Sequence, residues 1–358
     1  MDKILEYTLR EEDLESTAGG LVNLILKNCV RVTGHEISAA KYTPDGITAD
    51  GRKVFVSERI LPGQTLRVVL SEDKEAAGRI LPVRPPFDLQ VLYEDEDLII
   101  INKPAGVVVH PSPGHYADTL ANYCAWYLQE NGQGSACRII GRLDKETSGA
   151  MLFAKNRASA ARLTGERAKN TLKRTYIALV RGWFEDSEGT VDTPLEKAPN
   201  VLMLRQVAQG GSGMKALTAY RVLLRTQIEE TDDTGRAATV NVSLLEVHID
   251  TGRTHQIRVH MASIGHPFVG DTLYDGSFDP SESRVVTPAK EEGREPVYSL
   301  KVSSMADGSG RRALLHAVRL ELIQPFTGAA VDVTAPLASD FPPQCRGLFE
   351  SPVSAQGE

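Results

Sequence analysis

Asp144 stands in the segment Gly141-Arg142-Leu143-Asp144-Lys145-Glu146-Thr147-Ser148-Gly149, between the apolar pair Ile139-Ile140 and a second apolar run, Met151-Leu152-Phe153-Ala154. These flanks predict two strands with the carboxylate on the loop between them, a place where side chains reach ligands. An aspartate so placed can serve as nucleophile or general base. It can equally close an Asx turn on its own backbone, and from position alone that reading is favoured. Two other segments change the odds. Residues 175–182 alternate as a strand with Tyr176, Ala178 and Val180 on one face. A tyrosine in a strand is ordinarily core packing, but Tyr176 follows directly on a basic stretch, and an aromatic ring beside a phosphate-attracting surface is the arrangement that stacks nucleobases. In residues 250–260, Thr254 occupies an N-cap position, and Gly265 with Pro267 supplies a stop. The result is a short helix on which Arg258 shares a face with His255, Val259 and Ala262, and an arginine on such a face takes a carboxylate partner or extends its head to solvent.

The elements that must position these residues follow from the rest of the chain. An acidic stretch over residues 11–15 precedes the apolar segment Leu21-Val22-Asn23-Leu24-Ile25-Leu26, which reads as a helix. Asp50-Gly51 is a hairpin turn between alternating residues, and Leu61-Pro62-Gly63-Gln64 is a turn feeding a strand. Residues 1–76 thus form a small α/β module, residues 77–88, with Pro82, Pro85 and Pro86, a linker, and residues 89–345 the main domain, with a disordered tail over 346–358. The main domain is strand-rich without an alternating βα repeat, which indicates an α+β fold with a mixed, largely antiparallel sheet. Residues 229–236 and 276–311 read as surface loops.

Composition sets the outer limits. At 358 residues with 41% hydrophobic and 24% charged, the chain can bury one large core and one small one. It lacks a run of about 18 apolar residues and a basic-then-apolar start, so it reads as cytoplasmic and not membrane-bound. The four cysteines form no C-x-x-C pair, which argues against disulfides and thiolate zinc. His110/His115 and His255/His260 are each five apart and miss the spacing of a helical metal pair. The net charge of −7 argues mildly against nucleic acid. Distribution matters more than the sum: Lys155, Arg157, Arg162, Arg167, Lys169, Lys173, Arg174 and Arg181 crowd one stretch against only Glu166.

With these residues in view the chain resembles the RluA/RluD family of pseudouridine synthases, which isomerise uridines in ribosomal or transfer RNA. Residues 93–106 through His110-Pro111 resemble the family's opening strand and turn, Arg142-Leu143-Asp144 to Thr147-Ser148-Gly149 its catalytic motif, and Tyr176 its base-stacking tyrosine. Residues 251–260 with Gly265-His266-Pro267 and Gly270-Asp271 resemble its arginine motif, and Leu315-His316-Ala317 its last one. Two departures stand out. Gly141 lies where the family usually has histidine, and the N-terminal module resembles the family's small RNA-binding domain with its basic helix nearly absent, where Val30-Arg31-Val32-Thr33-Gly34-His35-Glu36 stands.

The resemblance implies that Asp144, Tyr176 and Arg258 are the catalytic set, with Asp144 the essential carboxylate, as nucleophile toward the nucleoside or as base removing a ribose proton. Arg258 beside Asp144 would favour its charged form, so the two form an expected ion pair. Arg142, Lys173, Arg174 and His255 are the expected substrate-binding residues, and the basic run would track the RNA backbone. The reaction needs no cofactor and no metal. The expected partner is structured RNA, ribosomal RNA first and transfer RNA second, met by a monomer. The rivals are an inactive RNA-binding assembly factor and an aspartate-nucleophile hydrolase; the second needs further carboxylates for magnesium, and only Glu146 is near in sequence.

Overall fold

The computed structural model describes residues 2–72, 80–169, 171–199, 204–208, 213–231, 237–274 and 312–349. The expectations for residues 276–311 and for most of the tail lie outside them, and the linker's first residues do as well.

Residues 3–70 make a four-stranded antiparallel sheet in the order β1 (Lys3–Thr8), β4 (Thr65–Leu70), β2 (Ile47–Ala49), β3 (Arg52–Lys53). Asp50 (φ 47°) and Gly51 (φ 79°) both take the left-handed conformation that a two-residue hairpin demands, which is why Asp-Gly marks the turn. The expected helix is short: α1 (Val22–Leu24) runs on into a π turn (Ile25–Cys29). Helix α2 (Gly34–Tyr42) is closed by a capping box between Thr33 and Glu36.

This module is docked against the main body. Lys3 pairs with Glu96 and Asp97 at 3.0 and 2.9 Å, Arg162 with Glu36 at 3.1 Å, and Arg138 with Glu72. Ala158 and Phe326 of the main body pack into the module's apolar core. The segment from residue 80, read as a linker, is also tied down: Asn122 donates to the Leu81 carbonyl at 2.7 Å, and Phe87 stands edge-on to Tyr123 at 5.4 Å.

The main body is a ten-stranded mixed sheet. Its path is β10 (Glu188–Asp192), β13 (Leu217–Thr231), β14 (Ala237–Ile249), β9 (Lys173–Arg181), β15 (Leu315–Ile323), β8 (Ser148–Ala154), β6 (Leu98–Lys103), β5 (Val91–Glu94). β16 (Ala330–Thr334) joins β15 and β7 (Arg138–Ile139) joins β8. β11 (Leu195–Lys197) pairs with β12 (Arg205–Val207) apart from the main sheet. The pairings are antiparallel except β8 with β15, in keeping with the expected α+β class. Residues 229–231, expected in a loop, instead prolong β13, because its hairpin with β14 pairs as far as Thr231↔Ala237.

Both faces of the sheet are covered. Helix α3 (Leu120–Glu130), capped by Thr119 and Asn122, packs Leu120, Ala121, Cys124 and Leu128 on the face that carries Ile99, Met151, Tyr176 and Ala178. Ile177 and Leu179 point to the opposite core, with Phe341 and with Cys345 of α6 (Pro343–Arg346). Helices α4 (Arg157–Ala168) and α5 (Gln256–Ser263) complete the set. Among the described residues no helix is long and apolar enough to cross a membrane.

The parallel junction of β8 and β15 depends on a glycine. Gly149 sits opposite Ala317 with φ 107°, and a Cβ there would lie 2.2 Å from the Ala317 carbonyl oxygen. Gly149→Ala should therefore lose about 1–3 kcal/mol of stability or more in denaturant titrations; a change within error would show that the two strands can separate freely.

Candidate active site

The loop from Gly141 to Thr147 is positioned by its backbone. Leu143 anchors it in the core, and Thr147 N–H donates to the Asp144 carbonyl at 3.1 Å, closing a tight turn. The Lys145 carbonyl accepts from Gly106 N–H at 2.9 Å and from Lys103 Nζ at 2.9 Å. Lys103 is wholly buried, and its ammonium also donates to the Pro104 and Val107 carbonyls at 2.9 and 2.7 Å. Burial pushes its pKa down to about 7, against the pull of Glu146 and Asp144. On the other side, Arg312 donates through Nη1 to the carbonyls of Glu146, Ala313 and Leu315 at 3.0, 3.1 and 3.1 Å, and holds Asp340 in a two-pronged pair at 2.6 and 2.8 Å. Ser148 Oγ lies 2.8 Å from His316 Nδ1 and completes the anchorage.

So held, the Asp144 side chain makes no hydrogen bond or ion pair with any described residue. The Asx-turn alternative is thereby excluded. Instead Asp144 lines a narrow cleft of about 50 Å³ with Arg142, Leu143, Thr147, Tyr176, His255 and Arg258. Five of the seven residues singled out from sequence meet there: Asp144, Tyr176, Arg258, Arg142 and His255. Lys173 and Arg174 do not. They open β9 ahead of Tyr176; Lys173 is exposed opposite Glu321, and Arg174 is half-buried, with Nε and Nη2 lacking hydrogen bonds.

Tyr176 has both of the properties weighed for it. It is only 5% exposed and packs with Ala178 and Val180, as the alternation predicts, yet its ring borders the cleft.

Two expectations about the helix need correction. Thr254 does not cap α5: the N-cap is His255, in the left-handed conformation (φ 56°), and no side chain caps the end. The Thr254 hydroxyl accepts a hydrogen bond from Arg142 Nη2 across the cleft instead. His255 consequently stands before the helix rather than on its face, with Nδ1 2.9 Å from the Tyr274 hydroxyl. Gln256 fixes the turn before it: its side-chain carbonyl accepts from Thr251 Oγ1 at 2.8 Å and Arg253 N–H at 3.1 Å. The C-terminal stop is as expected, with Gly265 at φ 86° and His266 N–H donating to the Met261 carbonyl at 2.9 Å.

The second correction concerns Arg258. Its carboxylate is Asp271, not Asp144: Nε and Nη2 donate to Asp271 at 2.8 and 2.6 Å, and both side chains are buried. No ion pair links Arg258 to Asp144 within 4.0 Å. The physical reason is burial. A guanidinium this deep requires an equally dry carboxylate with its own lone pairs satisfied, and Asp271 accepts further bonds from Leu273 and Tyr274 N–H at 2.8 and 3.0 Å. Asp144 is half-exposed and meets neither condition. Burial would lower the Arg258 pKa, but Asp271 outweighs it and the net shift is upward; Asp144 adds to the same effect from a distance. Arg258 therefore lends the cleft a permanent positive charge.

His255 is neutral at ordinary pH, because burial, then the nearby Arg258 charge, pushes its pKa down to about 4. Tyr274, which carried no signal in the sequence, lies against both groups: its ring centre is 5.2 Å from the Arg258 guanidinium, and burial raises its pKa.

A family model described as RNA pseudouridylate synthase matches residues 97–263, the span that holds Asp144, Tyr176 and Arg258. An uncharacterised RNA pseudouridine synthase of Bacillus subtilis is 34% identical over 283 residues, covering 79% of each chain. The ribosomal large subunit pseudouridine synthase D of Pseudomonas aeruginosa is 35% identical over 303 residues and 84% of each chain, and that of Zymomonas mobilis 34% over 256 residues and 70% of each. The chain belongs to the RNA pseudouridine synthase family. It is thus an isomerase of uridine, and the cleft around Asp144 is the candidate place for the reaction.

In this pseudouridine synthase the supporting residues were harder to read than the central ones. Asp271 was visible only as part of a motif, Lys103 only as a residue of the opening strand, and Arg312 carried no local signal.

Asp271→Asn leaves a buried guanidinium unpaired and should lower stability by about 3–5 kcal/mol; the double variant Arg258→Met/Asp271→Leu should recover much of that in chemical denaturation, yet remain inactive. On the acid side, unfolded histidine titrates near about 6.5, whereas burial holds His255 and His316 at about 4. Between those values the unfolded chain binds more protons, so the melting temperature should fall as pH drops from 6.5 toward 4. Replacing His255 by Gln should flatten the slope, and an unchanged slope would mean that this imidazole is not held neutral.

Proposed function

We propose that this enzyme isomerises specific uridines in ribosomal RNA, with Asp144 as the essential carboxylate. The observation that carries the reading is the unbonded Asp144 side chain in a cleft shared with Tyr176 and a permanently charged Arg258. The naming of several relatives as ribosomal large subunit synthases supports the choice of RNA.

The reaction breaks the N1–C1′ bond, turns the uracil and forms C5–C1′; C5 gives up its proton and N1 gains one, so the product is an isomer of the substrate. Asp144 acts on the nucleoside as nucleophile at the ribose or as base for a ribose proton, and both acts require it ionised. Arg258, held by Asp271, lies beyond ion-pair range of Asp144 and leaves its carboxylate oxygens open. Because Asp144 has no partner to release, its lone pairs are free for substrate without a prior rearrangement.

The cleft as it stands holds a few waters and little more, so a nucleotide enters when Arg142 leaves Thr254. Arg142 is then free to meet the phosphate of the extruded nucleotide. Unstacking the uridine costs a few kcal/mol, and the ring of Tyr176 offsets part of that, since base–aromatic stacking contributes about 1–3 kcal/mol.

Asp144→Asn should abolish pseudouridine in the target RNA, mapped in cells lacking the native gene, while RNA affinity and melting temperature stay nearly unchanged; continued modification would refute the assignment. Tyr176→Phe should retain much more RNA binding than Tyr176→Ala, and equal losses would point to the hydroxyl rather than the ring.

A further inference from the structure

The basic run does not form one face. Lys155 turns to Glu94 and the Asp95 carbonyl, at 2.8 and 2.5 Å, and Arg162 turns to Glu36 of the N-terminal module. Arg167, in the last turn of α4, goes a third way. A Cβ built on Gly141 would lie 3.2 Å from Arg167 Nε and 3.4 Å from its Cζ, and one built on Gly252 would lie 3.2 Å from its Nη2. The guanidinium therefore rests between the catalytic loop and the loop that carries Arg253, at the mouth of the cleft that Arg142, Gly252 and Arg253 line. Gly141 has φ 76°, a left-handed backbone that favours glycine, and a side chain there would press on the Arg167 guanidinium.

The guanidinium of Arg167 is unspent. Arg142 donates to Thr254, and Arg253 donates through Nε to the Lys215 carbonyl at 3.2 Å. Arg167 is exposed and makes no hydrogen bond or ion pair with any described residue. Both loops it touches present glycine at the point of contact, which lets an RNA backbone approach closely.

We propose that Arg167 is a substrate-binding residue that takes a phosphodiester next to the target uridine, and that Gly141 is small in order to admit it. The inference rests on the reading that this cleft acts on RNA. A guanidinium matches two phosphate oxygens with parallel N–H bonds, and this one has its donors free. The contact is made before and after the chemical step alike, so it contributes to binding and not to turnover.

The test compares Arg167→Ala, Arg167→Lys and Asp144→Asn with the native enzyme on a transcript containing the mapped uridine. Arg167→Ala should raise KM for RNA about tenfold with kcat within about twofold. It should also reduce the slope of log affinity against log salt by about one, the signature of a lost phosphate contact. Arg167→Lys should keep the salt slope, because the charge remains, with affinity between the two. A native KM and salt slope in Arg167→Ala, or a loss confined to kcat, would overturn the proposal. Asp144→Asn separates chemistry in the cleft from phosphate binding at its mouth. If that variant still turns over, the reading of the cleft fails; if it binds with native salt slope and does not turn over, the result for Arg167 stands on its own.

Discussion

The Asp144 side chain makes no hydrogen bond with any described residue, so its position is set by what holds its backbone. Two buried basic side chains do that. Lys103 reaches the Lys145 carbonyl from the end of β6, and Arg312 reaches the Glu146 carbonyl from the approach to β15. Carbonyl oxygens pulled from both sides make a rigid turn, and rigidity of the main chain is what permits a side chain to stay free for substrate. Both clamps also lie at the junction where β8 runs parallel to β15 over Gly149, so the sheet and the loop are one mechanical unit.

A second constraint comes from burying charge. Arg258 and Asp271 form a dry, two-pronged pair whose separate members would each be expensive to bury. The pair lets the cleft keep a positive charge that does not neutralise Asp144 by direct contact. Had Asp144 been the partner, its lone pairs would have been occupied by the guanidinium. The arrangement splits the work: one carboxylate holds the arginine and the other remains available. Around them, His255 and Tyr274 are kept neutral by burial, so the charges lining the cleft are Asp144 and the arginines Arg142, Arg253 and Arg258.

The N-terminal module enters the same framework from the far side of α4. That helix shares Ala158 with the module's core, pairs Arg162 with Glu36, and carries Arg167 in its last turn beside the Asp144 loop. The module's contacts thus brace the helix that presents Arg167. Its nearly missing basic helix fits this part: Glu36, at the start of α2, is engaged with the main body.

Sequence alone determined the features set by short-range periodicity and turn chemistry. The strands on either side of Asp144, the face of Tyr176 with Ala178 and Val180, the Asp50-Gly51 hairpin and the glycine stop after α5 are each encoded within a few residues, because strand alternation and left-handed turns are local properties. That Asp144, Tyr176, Arg258, Arg142 and His255 belong together was expected from the order of their motifs, and the five line one cleft. What the tertiary structure alone decided is pairing across distance. Asp271 rather than Asp144 became the partner of Arg258 because their depths match, and depth is a property of the packed fold. Thr254 turned to Arg142, 112 residues away, instead of capping its helix. The clustered charges of residues 155–181 separated once a helix and a strand pointed them in different directions, which took Lys173 and Arg174 away from the cleft and set Arg167 beside Gly141 and Gly252. Gly141, unexplained as a letter in a motif, takes a left-handed backbone and has a guanidinium from another element beside it.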